Sequence, residues 1–227
     1  MKKPLKITLI FIGILFVIYH LLSWTGIFTV YNNPTTSNLP NLALNSKMVS
    51  SNLFEPKNGD FICYKNQNGR LGNHIRVHRL CGMENDIVEI KNGTLFINGK
   101  NADKGIDFMH FYTLTESEYQ KIKPETNPDV TFFSRVGEKK DSIMILLSDN
   151  YSKENGLELR RRTANKMDEN SIVQEMFNKN WNLDNFGPLK IPTNKVFVLG
   201  DNRDISEDSR FVGLIDKSDI VGTVIIK

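Results

Sequence analysis

The apolar positions of the chain fall into two regimes. From Ile7 to Trp24, 18 consecutive residues carry no Asp, Glu, Lys or Arg, and as an α-helix they would reach about 27 Å, close to the hydrocarbon thickness of a bilayer. Its polar members are few, and Tyr19, His20 and Trp24 gather towards one end, where interfacial aromatics commonly sit. The pattern predicts a single membrane span over residues 7–25. Lys2, Lys3 and Lys6 precede it, so the positive-inside rule leaves residues 1–6 as a cytoplasmic tail and sends the chain beyond Tyr31 across the plasma (inner) membrane. A cleaved leader has a similar charged start and apolar middle, but the run is long for one. No small-x-small cleavage site follows in Thr25-Gly26-Ile27-Phe28-Thr29-Val30.

Beyond the span the apolar runs shorten. Pro34 to Asn58 is rich in Asn, Ser, Thr and Pro with little periodicity and reads as an extended loop. Phe61–Tyr64, Ile75–Leu80, Ile87–Ile90 and Leu95–Ile97 are strand-like, separated by Asn68-Gly69, Asn92-Gly93 and Asn98-Gly99, the turn dipeptides of antiparallel hairpins. The same texture returns in Lys195–Leu199 and Ile220–Ile226, so a β core is expected in two sequence-separated parts, 26–100 and 185–227. Residues 101–184 are more charged and mixed, and read as an α+β insertion. Thr115 with Glu118 opens a short helix as a capping box, with Tyr119 and Ile122 facing inward, and Ser171 with Gln174 repeats the signal before Met176 and Phe177. Ser142–Ser148 fits a strand, and Leu157–Thr163 a basic, exposed one. The expected fold is mainly β, an antiparallel core with this insertion and one N-terminal transmembrane helix.

Composition narrows the classes. With 40% hydrophobic and 24% charged residues the chain is an ordinary folded protein, which excludes disorder and a disulfide-dense scaffold. The surplus of 29 basic over 26 acidic groups is too slight to point to nucleic acid, and no basic stretch is interleaved with aromatics. Cys63 and Cys81 would lie in an oxidising compartment. If Asp60–Lys65 and His74–Leu80 pair symmetrically around Asn66–Asn73, Cys63 faces Val77 and Cys81 lies about 13 Å further along, beyond disulfide reach. Two separate buried thiols are expected. No Cys/His cluster occurs, so neither a metal nor any other cofactor is expected.

The densest constellation is Gly200-Asp201-Asn202-Arg203-Asp204-Ile205-Ser206-Glu207-Asp208-Ser209-Arg210, directly after Val196–Leu199. A charge run is usually a solvated turn. This one, with Gly-Asp-Asn-Arg followed by Ser, Asp, Ser and Arg at fixed offsets, resembles the last signature box of the type I signal peptidases, membrane-anchored serine proteases that remove signal peptides. Asn58-Gly59-Asp60-Phe61-Ile62 resembles the family's Gly-Asp strand start, Asp86–Ile90 to Asn98–Lys100 its following hairpin, and Phe186-Gly187-Pro188 to Pro192 its approach to the last box. The resemblance implies an antiparallel catalytic β core resting an apolar edge against the membrane, with preprotein signal peptides and the lipid bilayer as partners.

The family's nucleophile lies in a Ser-Met-x-Pro-Thr-Leu segment after the anchor, and the matching stretch is Ser37-Asn38-Leu39-Pro40-Asn41-Leu42. The resemblance therefore implies Ser37 as nucleophile, with the Ser37 amide and the Thr35 hydroxyl as oxyanion donors. Where most bacterial members carry Lys-Arg-Val, this chain has His78-Arg79-Leu80, as in the endoplasmic-reticulum and archaeal branches. His78 is the implied base, and its ordinary pKa near 6.5 would set an acid limb at about 6–7. A histidine base is oriented through its second nitrogen, and Asp201, Ser206 and Asp208 are the candidates; in lysine-type members the counterpart of Ser206 positions the base while those of Asp208 and Arg210 form a structural ion pair. Direct reach between the Ser37 hydroxyl and the His78 imidazole is the central expectation. Three rivals accompany it. They are a catalytically silent anchored binding protein of the same fold, a processing protease for one pilin or conjugation substrate, and a self-cleaving repressor, which lacks a DNA-binding segment here.

Overall fold

The computed structural model describes residues 3–66, 74–122, 133–137 and 141–227; Lys2 and the Asn68-Gly69 turn signal lie outside them. The first element is α1 (Lys3–Trp24), long and apolar enough to cross a bilayer. Ile7, Phe11 and Phe16 are all exposed along it. A helix apolar all round with nothing packed on it has no place in water.

The chain continues through β1 (Thr29–Asn32), β2 (Lys47–Ser51), β3 (Phe61–Asn66), β4 (His74–Gly82), β5 (Ile87–Lys91), β6 (Thr94–Ile97) and β7 (Lys100–Asn101). Then come β8 (Met109–Thr115), α2 (Glu116–Ile122), β9 (Phe133–Val136), β10 (Ser142–Ser148), α3 (Asp149–Glu154) and α4 (Ser171–Phe177). The last part holds β11 (Phe186–Lys190), β12 (Lys195–Leu199), α5 (Ser209–Val212), β13 (Ile215–Asp216) and β14 (Ile220–Ile226). Among the described residues the strands form three antiparallel sheets, ordered β1-β2-β14-β3-β4-β12-β13, β11-β5-β6-β7 and β8-β10-β9. The fold is mainly antiparallel β, as the alternation and the Asn-Gly turns predict. At Asn92-Gly93 and Asn98-Gly99 both residues have positive φ, the backbone that two-residue hairpins of matching twist require.

β2 corrects the reading of residues 34–58 as loop. Met48, Ser50 and Ser51 are buried in it, and β14 pairs along it from the far end of the chain. The strand lacks an apolar signature because serines fill its inward positions. A Cβ on Gly222 would meet the Ser50 hydroxyl and the Ser51 backbone, so small residues on both strands allow their close approach.

In the region 101–184, β10 occupies the expected Ser142–Ser148. The capping box forms as read: the Glu118 carboxylate accepts from Thr115 N at 2.8 Å, and Thr115 Oγ1 accepts from Glu118 N at 3.3 Å. Tyr119 and Ile122 pack, half-buried, on Tyr112, Leu114 and Ile145. Two expectations need correction. The cap of α4 is Asn170, one residue before Ser171, accepting from Val173 N at 3.1 Å; an Asn caps as well as a Ser. Leu157–Thr163 forms no strand, because Leu157 is buried, Glu158–Arg160 is a 3-10 turn, and only Arg161 makes a bridge, to Tyr112.

The β3–β4 register pairs Cys63 with Val77, Ile62 with His78 and Tyr64 with Arg76. Cys63 packs with Leu42, Met48 and Phe61, whereas Cys81 packs with Val88, Leu95 and Phe197. Both thiols are free. Burial pushes Cys63 up to about 11 and Cys81 up to about 12, so neither is a thiolate at neutral pH. Iodoacetamide added without reductant is expected to leave both unlabelled in the folded protein and to label both once denaturant is present; mass spectrometry finding a bridged pair would contradict this arrangement.

Candidate active site

The site is built on the return of β12 into the loop that precedes α5. Asp208 caps α5 by accepting from Arg210 N at 3.2 Å, accepts from Gly200 N at 3.1 Å, and is gripped by Arg210 through Nε at 2.9 Å and a terminal nitrogen at 2.8 Å. The loop is thereby closed on itself. Arg210 pulls the Asp208 carboxyl below its usual range despite complete burial. Arg203 pairs with Asp103 at 2.6 Å and stacks 3.8 Å from the centre of the Phe108 ring. Asp201 accepts from Arg79 Nε at 2.8 Å and from Asn41 at 2.7 Å. Asp201, Arg203, Asp208 and Arg210 are all buried, so this charge run is an internal lattice and not a solvated turn.

His78 lies in β4 and is buried. Its Nε2 meets Ser206 Oγ at 3.1 Å and its Nδ1 meets the Tyr64 hydroxyl at 2.8 Å. Of the three candidate orienting groups, only Ser206 has a hydrogen bond to the ring. Asp201 is committed to Arg79, and Asp208 to Arg210. Burial lowers the imidazole to a pKa of about 4; the Asp208 and Glu207 carboxylates oppose this and the Arg76 and Arg210 guanidiniums reinforce it. Burial thus holds the ring below the ordinary imidazole value from which an acid limb at 6–7 was expected.

Ser37 sits in the turn after β1. Its carbonyl accepts from Asn202 N at 3.0 Å, and the Thr36 carbonyl accepts from the Asn202 amide at 3.1 Å. Buried Asn38 donates at 2.8 Å to the carbonyl of Val77, the residue before His78. Thus the loop of residues 200–208 holds the Ser37 turn on one side and β4 holds it on the other. A Cβ on Gly200 would collide with both Ser206 Oγ and the Ser37 carbonyl, so the glycine lets the serine turn and the 200–208 loop meet. Thr35 is exposed, and its hydroxyl donates to Asn33 Oδ1 at 3.4 Å.

Ser37, Thr35 and His78 line one cleft of about 120 Å³, together with Cys63, Arg76 and Glu207. Arg76 and Glu207 form an ion pair at 2.6 Å in its wall. Sequence reasoning missed this pair, Asn38, Asn202 and Tyr64. The signal for Tyr64 was present: once Cys63 faces Val77, strand alternation puts Tyr64 on the face of His78.

The chain matches the family model of signal peptidase, peptidase S26, over residues 5–227. It is 30% identical over 190 residues to signal peptidase I P of Bacillus subtilis subsp. natto, covering 83% of this chain and 67% of that one. It is 28% identical over 232 residues to signal peptidase IB of Staphylococcus aureus (strain Mu50), covering 99% and 89%. A solved signal peptidase I from Enterococcus faecalis overlays with a TM-score of 0.36 at 20% identity, covering 75% of this chain and 97% of that one.

Removing one partner of a buried ion pair strands the other. Asp208→Ala is expected to cost about 3–5 kcal/mol, seen as a lower midpoint in denaturant unfolding of the full chain in detergent. A change within experimental error would mean that the loop does not depend on the pair.

Proposed function

The chain belongs to the signal peptidases of the peptidase S26 family, and from that premise we propose that it removes signal peptides from exported preproteins by a Ser37–His78 mechanism at the outer face of the membrane. Its N-terminus would be cytoplasmic and α1 the anchor, with residues 26–100 and 185–227 as the catalytic core and 101–184 as an insertion. Ser37 Oγ would attack the scissile carbonyl as its proton passes to His78, and His78 would return that proton to the leaving amine. Water would then release the acyl-enzyme. The Ser37 amide with the Thr35 hydroxyl would hold the oxyanion, and Thr35, being exposed, can turn its hydroxyl from Asn33 to a substrate oxygen.

One observation carries this reading: Ser37 and His78 share a cleft in which the imidazole is neutral. A neutral ring can accept a proton without first losing one. In the unliganded chain Nε2 is occupied by Ser206, so Ser37 must displace or share that hydroxyl when a peptide fills the cleft; such bonds often tighten only in the substrate complex. Family resemblance implies small residues, Ala-x-Ala, before the cut.

Purified full-length protein is expected to cleave a preprotein, with Ser37→Ala and His78→Ala each lowering kcat by at least about a thousandfold. The base works when neutral, and burial depresses its pKa to about 4. Activity is therefore expected to hold as pH falls through 6 and to fail only as the ring protonates near that value. Full turnover in either alanine variant would overturn the assignment of that residue.

A further inference from the structure

We infer that Tyr64 is the positioning residue of His78, its phenol oxygen accepting the Nδ1 proton in the tautomer that leaves Nε2 free to act. This rests on the reading of His78 as the base. The placement follows from register. His78 directly opposes Ile62 across β3 and β4, and Tyr64, two residues along, is its diagonal neighbour on the same face. The hydroxyl is 2.8 Å from Nδ1, the rings are tilted by 40° with centroids 5.9 Å apart, and Tyr64 is fully buried.

The carboxylates around the ring are committed elsewhere, Asp208 to Arg210 and Glu207 to Arg76. The place that an acid fills in a Ser-His-Asp triad is held here by a neutral group. Burial keeps the Tyr64 phenol well above its usual pKa and therefore un-ionised.

A neutral imidazole carries one N–H. If the phenol donates to Nδ1, the proton sits on Nε2, and that nitrogen cannot accept another. If Nδ1–H donates to the phenol oxygen, Nε2 presents its lone pair on the side of Ser206, whose side chain and the Ser37 carbonyl both border Gly200. Only the second form is a base towards Ser37. When the Ser37 proton arrives at Nε2 both ring nitrogens carry hydrogen, and the phenol oxygen remains the acceptor for Nδ1–H. No proton passes to Tyr64. As acceptor, the phenol oxygen holds the working tautomer and supports the imidazolium.

Tyr64→Phe keeps the ring and removes the hydroxyl. In the full-length protein in detergent micelles, kcat for a preprotein peptide is expected to fall at least about tenfold with KM within about twofold. The ¹⁵N signals of the His78 ring are expected to shift as its tautomer balance changes, a readout independent of turnover. Unchanged kcat and unchanged ring signals, with His78→Ala inactive, would overturn the Tyr64 role and leave the base assignment standing. An active His78→Ala would overturn both.

Discussion

At Gly200 two segments that are distant in sequence, the serine turn and the loop of residues 200–208, come closer than any side chain would permit. The Ser37 carbonyl and the Ser206 side chain both occupy the space into which a Cβ would project. The Gly200 amide is bound by Asp208, the residue that also caps α5 and holds Arg210. That contact brings the serine turn against the loop that carries Ser206, and the Asp208–Arg210 pair closes the loop on itself. The site is rigid because the loop carrying Ser206 cannot relax without leaving Arg210 or Asp208 alone in a dry interior.

The same burial would decide the chemistry of His78 as the proposed base. A lysine here would have to lose several pKa units to be neutral at physiological pH, and desolvation would do most of that work. A histidine in the same surroundings starts lower, so desolvation carries it to about 4. In the proposed mechanism the ring would be available as an acceptor near neutral pH but a weak one, and a proton gained from Ser37 would be held with little driving force. Hydrogen bonds to both nitrogens of the imidazolium offset that weakness without adding a charge to the pocket. Ser206 and Tyr64 are such groups.

The strands with apolar alternation or Asn-Gly turns were legible in the sequence, β12, β14 and β10 to the residue. The Cys63–Val77 register followed from hairpin symmetry alone. β2 was not legible, because its buried face is largely serine and one of its two partners, β14, lies more than a hundred residues away. In the site, residues within the signature boxes could be named from their order, but their partners could not. Asp201, Ser206 and Asp208 all stood as candidates to orient the ring, with only the family precedent setting Ser206 apart from Asp208. Only the fold sends Asp201 to Arg79, Asp208 to Arg210 and the hydroxyl between them to His78.

Asn38 shows how a departure from a motif can be structurally productive. An apolar residue at this position would leave the Val77 carbonyl to find another donor, whereas the Asn38 amide takes it at 2.8 Å and ties the serine turn to the strand of the base. The bond acts one residue from His78 and one from Ser37, so it constrains their separation more directly than packing would. With Asn202 holding the Ser37 carbonyl from the opposite side, the turn is fixed by two polar clamps in a region where exposed Thr35 and Pro40 contribute little burial. Hydrogen bonds have direction where apolar contacts have none, and a serine proposed to meet one nitrogen of a buried ring would need direction more than area.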